Sequence, residues 1–190
     1  AKPFTERNVL QLNSIAAGKN LRSSFFTASC ENAAGRFPGD PRFPVDRRGV
    51  VFSGATREPI AHGLTRPHSA KLFRGRLWLD NSGYGEVGIV ADGKFSAVAR
   101  LPGWTRGLCF CGNIAFVGTS RVLPRFRSYA PGLAVDRSVC GVHALELKTG
   151  RVIGSLLWPR GNQIFSIECL PAGFATGFPF SVPDGASERQ

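Results

Sequence analysis

Two stretches of this chain follow the same order of residues, and that repetition constrains the fold more than any other feature. The first, Leu64 to Val90, reads as a strand, a tight turn at Arg74-Gly75, a second strand, a turn of Asn81-Ser-Gly-Tyr-Gly85 and a third strand. The second, Leu101 to Ser120, has an Arg near the strand start, a Gly turn, an apolar strand and a small polar turn. Turn glycines mark the period: Gly18, Gly75, Gly112 and Gly173 are separated by 57, 37 and 61 residues. Propeller blades repeat every roughly 40–50 residues. The two longer intervals are those that contain Pro- and Arg-rich loops, at 30–48 and 121–139, so insertions account for the irregular spacing.

Each unit supplies up to four short runs of alternating polarity separated by turn residues. The first holds Gln11–Gly18, Leu21–Ser29, Gly49–Ser53 and Glu58–Ala61. The second is the opening stretch closed by Lys94–Arg100 after the hairpin signal Asp92-Gly93. The third adds Cys140–Leu147 and Arg151–Leu157 across a turn at Thr149-Gly150. A fourth begins with a strand at Gln163–Leu170, turns at Ala172-Gly173 and continues through Phe174–Phe178, without outer strands. No segment sustains a 3.6-residue period, so little helix is expected. A sandwich also uses many short strands, but Gly at the same turn in each unit favours an all-β propeller of about three to four blades. The expected domain spans 10–180, with flexible ends at 1–9 and 181–190. Such a chain is a fragment of a ring, completes a ring with another chain, or forms an open arc.

With 24 Lys and Arg against 13 Asp and Glu, the net charge is +11. That balance points to an anionic partner. The arginines are scattered and never form a run of five like charges, so nucleic acid is not expected as the main one. Five cysteines with no Cys-x-x-Cys argue against a zinc site or a disulfide framework and for free thiols in a reducing, cytoplasmic setting. No apolar run reaches the roughly 20 residues of a membrane span. P-loop, dinucleotide and Gly-x-Ser-x-Gly patterns are absent, and no cofactor or metal constellation is expected.

In a propeller the innermost strand of each blade lines the channel, and ligands bind at one mouth. Polar residues at the starts of the inner strands are therefore the candidates: Asn13 with Ser14, Arg66 with His68 and Ser69, Arg106, and Gln163 with Ser166. Arg66 and Arg106 have planar forks suited to a carboxylate or phosphate. His68, held by Pro67, is the candidate acid or base. Asn81, in its Gly-rich turn, and Trp104, in a Pro-Gly-Trp-Thr-Arg connection, are further ligand-binding candidates. His143 is expected on a solvated outer strand.

Several of these pieces carry a resemblance: Leu64-Thr-Arg-Pro-His-Ser, Gly75-Arg-Leu-Trp-Leu-Asp-Asn-Ser-Gly-Tyr-Gly-Glu, Leu101-Pro-Gly-Trp-Thr-Arg-Gly-Leu, Ala115-Phe-Val-Gly-Thr-Ser and Cys140-Gly-Val. Through them the chain resembles the DUF4915 family of bacterial proteins of unassigned function over roughly residues 10–178. The resemblance implies a β-propeller-like fold and a chain lacking N-terminal blades. It carries no activity. The expected function is binding of a small anionic or polar ligand, or a peptide, at the channel mouth. One alternative is a lyase or hydrolase using His68 as acid or base. Another is a scaffold whose basic loops dock an acidic partner. Ring completion calls for a second copy or a missing N-terminal part, and whether the chain is an enzyme stays open at this stage.

Overall fold

Alternating apolar residues and left-handed turn glycines divide the chain into three antiparallel four-stranded sheets. The computed structural model describes residues 8–32, 36, 38 and 40–171. The first sheet is β1 (Leu12–Ala16), β2 (Phe25–Ala28), β3 (Gly49–Ser53) and β4 (Pro59–Leu64). The second is β5 (Pro67–Phe73), β6 (Arg76–Asn81), β7 (Glu86–Ala91) and β8 (Lys94–Arg100). The third is β9 (Trp104–Cys111), β10 (Ile114–Ser120), β11 (Gly141–Glu146) and β12 (Arg151–Leu157). Strands pair in sequence order within each sheet, as successive hairpins require. The inner strands β1, β5 and β9 pack side by side. This is a partial β-propeller of three blades.

The turns follow from backbone chemistry. Gly75, Gly93, Gly112 and Gly150 all have positive φ, at 71°, 75°, 57° and 69°, a region open to glycine at little cost. Each closes a hairpin between neighbouring strands of one blade.

Side chains on opposite faces of a strand point to different neighbours, and β6 shows the result. Leu77 and Leu79 face the first blade, in a buried cluster with Ala16, Val51, Ala61, Leu64, Ala70 and Val90. Trp78 faces the third blade, with Val87, Leu101, Leu108, Ala115, Val117 and Leu145. The second blade is thus covered on both sides. By contrast, β12 is exposed along its length, with Val152, Ile153, Leu156 and Leu157 open to solvent.

Each inner strand carries a β-bulge near its start. In β1, Leu12 pairs with Ala28 and Ser14 with Thr27, two steps against one. In β5, His68 pairs with Asp80 and Lys71 with Trp78, three steps against two. In β9, Leu108 pairs with Val117 and Thr105 with Thr119, again three against two. Ser69 and Gly107 have φ of 55° and 83° at these places. A bulge re-aims the side chains beside it, and here it turns Asn13, His68 and Arg106 out of the regular alternation.

Two expectations are corrected. Gln163–Leu170 forms no strand: among the described residues it has no ladder partner, and a strand cannot persist without one. Its continuation, Phe174–Phe178, the turn before it and the tail from 181 lie outside the described residues, as do residues 1–7. His143 is not solvated: it is 3% exposed, its Nε2 is 3.0 Å from Thr119 Oγ1 and its Nδ1 is 2.8 Å from Ser155 Oγ. The loop 121–139 is ordered around its own apolar residues, with short 3-10 turns at Pro124–Tyr129 and Val135–Arg137.

Candidate functional site

The bulges and the two long loops meet at one end of the inner strands. There, Trp104, Val122 and Ala130 are buried together with Phe126, Tyr129, Leu133 and Val135 packed against them. Tyr129 also packs on Cys30, Phe43 and Val45 of the first loop. Between these walls lies a cavity of about 320 Å³, lined by Gln11, Arg66, Trp104, Arg106, Leu123, Arg125, Phe126, Tyr129, Gln163 and Phe165. That volume is at the lower end of the range for small-molecule pockets.

Arg66 precedes β5 with φ of 53°, a conformation that turns the side chain away from the strand. Its guanidinium carbon lies 4.1 Å from the Tyr129 ring centroid. One of its terminal nitrogens donates to Gln11 Oε1 and, at 3.3 Å, to Ser29 Oγ. Arg106 lies between Trp104 and Phe165, at 5.0 and 5.5 Å from their rings. Arg125 lies 4.8 Å from the Phe126 ring. Each guanidinium is therefore backed by an aromatic ring, whose face attracts a cation without using its N–H donors.

The lining contains three guanidiniums and no carboxylate. Three buried N–H donors, Arg66 Nε, Arg106 Nε and Trp104 Nε1, have no acceptor among the described residues. Buried donors normally find partners. Burial lowers the pKa of both Arg66 and Arg106 from the usual arginine value, and for Arg106 the charge of Arg66 lowers it further. Both nonetheless remain charged at neutral pH, since an arginine does not deprotonate in a protein. The cavity is electropositive, rich in donors and poor in acceptors.

Behind Arg106 stand His68 and Asp80. Arg106 Nη2 is 3.0 Å from His68 Nε2. A guanidinium only donates, so Nε2 must accept and the imidazole carries its proton on Nδ1. Burial, and then the charges of Arg106 and Arg66, push the His68 pKa down to about 3. Asp80, the ladder partner of His68, is fully buried, and neither carboxyl oxygen has a hydrogen-bond partner among the described residues. Burial raises its pKa well above the usual value, opposed by the Ser69 hydroxyl and the Arg106 charge. Ser69 Oγ meanwhile accepts from Gly107 N–H at 2.8 Å. Trp78 and Asp80 share a face of β6, so an acid follows a tryptophan into the seam between the second and third blades.

Of the sequence candidates, the structure brings Arg66, Trp104 and Arg106 to one cavity and sets His68 directly behind them. Asn13 is occupied elsewhere: its amide donates to Ser29 Oγ and to the Pro67 carbonyl, both at 3.1 Å, tying β1 to β5. Asn81 accepts from Thr65 N–H at 2.7 Å and donates to Glu86 at 2.8 Å; it secures the turn around Gly83. Ser166 is exposed, with its backbone against Gly107. Gln163 lines the cavity. Sequence reading missed Gln11, Arg125, Phe126, Tyr129 and Phe165; Arg125, Phe126 and Tyr129 come from a loop with no strand pattern. It also missed Asp80, whose signal is an acid within the apolar run Leu77-Trp-Leu-Asp80.

These features define a class: an all-β, three-bladed partial propeller whose polar residues cluster where its inner strands begin. The chain belongs to the family described as a domain of unknown function, DUF4915, whose model matches residues 3–176. Among solved structures, the chain is similar to the computationally designed Ika4 protein, at 11% identity and a TM-score of 0.51, over 87% of this chain and 84% of that one. A second designed protein, Ika8, is similar at 11% identity and a TM-score of 0.48, over 84% of this chain. The chain spans 40% of the length of the Ika8 chain. No curated protein matches it. Among the described residues, no helix is long and apolar enough to cross a membrane.

Proposed function

We propose that this domain binds a small anionic ligand in the cavity between Arg66, Arg106 and Arg125, and that a carboxylate on a planar frame fits it best. One observation carries the reading: among the described residues the cavity is lined by three aromatic-backed guanidiniums and by no acidic residue. A carboxylate in the cavity would accept from guanidinium N–H groups of the lining arginines Arg66, Arg106 and Arg125. The faces of Trp104, Phe126, Tyr129 and Phe165 supply apolar surface for a flat ligand.

The geometry weighs against an acid–base role for His68. Its Nε2 lone pair is held by Arg106 and its other nitrogen carries a proton, so neither nitrogen is poised to take one from a substrate. His68 acts here as a positioning residue for Arg106. The loop 121–139 turns its apolar residues inward to build a cavity wall, which supports the pocket reading over a docking scaffold. The five free cysteines fit a reducing, cytoplasmic setting. The exposed apolar strand β12 is where a further blade, from a second copy or a longer chain, would close the ring.

Calorimetric titration with benzoate, its neutral isostere benzamide and inorganic phosphate tests the proposal. Benzoate is expected to bind and benzamide to bind at least tenfold more weakly. Replacing Arg66 and Arg106 together by Gln should weaken benzoate binding by about 10- to 100-fold, the range for losing a charge-assisted hydrogen bond. Equal affinity for benzoate and benzamide, or no change in the double variant, would sink the idea.

A further inference from the structure

Cys109 lies on β9, buried; Cys169 lies on the irregular segment after β12, exposed. Their sulfurs are 3.2 Å apart, 60 residues apart in sequence. Cys111, although on the same strand as Cys109, is exposed and not the partner. The segment carrying Cys169 runs from 158 to 171 and has no ladder of its own. It is held at intervals instead. Arg121 N–H donates to the Asn162 carbonyl at 2.8 Å. Ser120 Oγ accepts from Ile164 N–H at 2.8 Å and donates to its carbonyl at 3.1 Å. Ile164 and Ile167 lie over Gly118 and Gly107, where a Cβ would meet them at 2.8 and 2.9 Å. Past Ile167, Glu168 pairs with Lys71 at 2.7 Å, a largely exposed contact that is weak for that reason. The Cys109–Cys169 approach follows it. Gln163 and Phe165 of this same segment form one wall of the arginine cavity.

We propose that Cys109 and Cys169 are a reversible dithiol–disulfide pair that fastens the segment 163–169 onto β9 and so fixes one wall of the cavity. The oxidant class is a hydroperoxide, which can reach the exposed Cys169. In the first step the Cys169 sulfur takes the terminal oxygen of the hydroperoxide, giving a sulfenic acid and an alcohol, or water from hydrogen peroxide. In the second step the Cys109 sulfur attacks the Cys169 sulfur, the S–S bond forms, and the sulfenic hydroxyl leaves as water with the Cys109 proton. Two thiols are oxidised and one peroxide bond is reduced. A dithiol returns the pair by exchange. Burial, followed by the neighbouring Cys169, pushes the Cys109 pKa up to about 12, so Cys109 is a thiol and the exposed Cys169 is the sulfur oxidised first. The sulfurs need approach by only about 1 Å to reach bonding distance, so the fold need not rearrange. A disulfide of this kind in a reducing compartment is transient and regulatory rather than structural.

The covalent pairing stands independently of the anion-binding reading; its effect on the cavity rests on that reading. The experiment uses the reduced full chain treated with hydrogen peroxide. Free thiols should fall from five to three, peptide mapping should find Cys109 linked to Cys169, and dithiothreitol should restore all five. Cys169→Ser, at an exposed position, should fold and show no thiol loss of this kind, while Cys111→Ser should behave like the parent. A linkage through Cys111, or sulfinic acid at Cys169 without any linkage, would overturn the pairing. Benzoate should leave the oxidised form more slowly than the reduced form. Equal release rates from the two forms would overturn the coupling to the cavity. If the linkage forms and neither form binds benzoate, the pairing is supported and the anion reading falls.

Discussion

The two seams between blades are built from the same strand pairs yet differ in kind. In the seam between the first and second blades, Leu79, Ala61, Val51 and Leu64 have no exposed surface. Two polar groups at its mouth join the blades directly: Ser14 Oγ accepts from Ala70 N–H at 3.0 Å and Asn13 ties β1 to Pro67, while Arg66 reaches back to Gln11 and Ser29 with its Nε unpaired. In the seam between the second and third blades, Trp78 and Phe110 meet edge to face. Above them, Asp80, His68 and Arg106 share a buried site with unpaired atoms. Packing alone explains the first seam. The second holds charge that packing does not require, and buried unpaired polar groups cost stability. On the function proposed above, that cost is offset when a ligand binds.

The largest expected effect tests the packing that the seams share. Trp78→Ala should lower unfolding free energy by about 3–5 kcal/mol and Leu79→Ala by about 2–5 kcal/mol, as read by urea denaturation. If Trp78→Ala cost much less than Leu79→Ala, the second seam would be an open site instead of a core with a site above it.

The next effect separates the seams through pH. His68 has a folded pKa near 3 against an ordinary 6.5. Between those values the unfolded chain binds more protons, so His68 makes stability rise with pH and be lost on acidification below about 6.5. Asp80 has a folded pKa raised above 3.8. There the folded chain binds more protons, so Asp80 makes stability fall as pH rises above about 4. The two slopes oppose each other between pH 4 and 6.5. Asp80→Asn should leave a steeper rise, and His68→Gln should leave a fall. Thermal melts across that range check both, and unchanged profiles would remove the buried pair from the account.

The smallest effect concerns the edge of the second seam. Lys71→Ala removes a partly exposed pair with Glu168 and should cost about 0–1 kcal/mol. A larger loss by denaturation would mean that the segment 163–169 is fastened more by this pair than by the thiols.

Much of the architecture was legible because turns leave chemical marks. Gly75, Gly112 and Gly150 each sit where a left-handed residue closes a hairpin, and Leu77-Trp-Leu alternates between two cores as a buried strand must. The bulges were not legible. Ser69 adopts a left-handed conformation with no glycine to announce it. The Gln163–Leu170 strand was misread because alternation records the faces of a segment and not whether a neighbour exists to pair with it. At the site, Arg66 and Arg106 could be found from repeat position, and Trp104 from the Pro-Gly-Trp-Thr-Arg connection that holds it. Arg125 and Tyr129 could not, since the loop 121–139 finds its place by packing on Trp104 and by backbone bonds to Gly83 and Pro102 that no local pattern announces.

The bulges on β1, β5 and β9 separate two tasks along a single strand. Below each one, the residues obey the strict alternation that the cores need. Beside it, Asn13, His68 and Arg106 occupy corresponding steps with an amide, an imidazole and a guanidinium. The extra residue absorbs the change of phase, so these three positions can be exchanged without disturbing Ala16, Ala70 or Leu108 a few residues further on. On the proposed function, the mouth can thus be altered one strand at a time while the cores below keep their alternation.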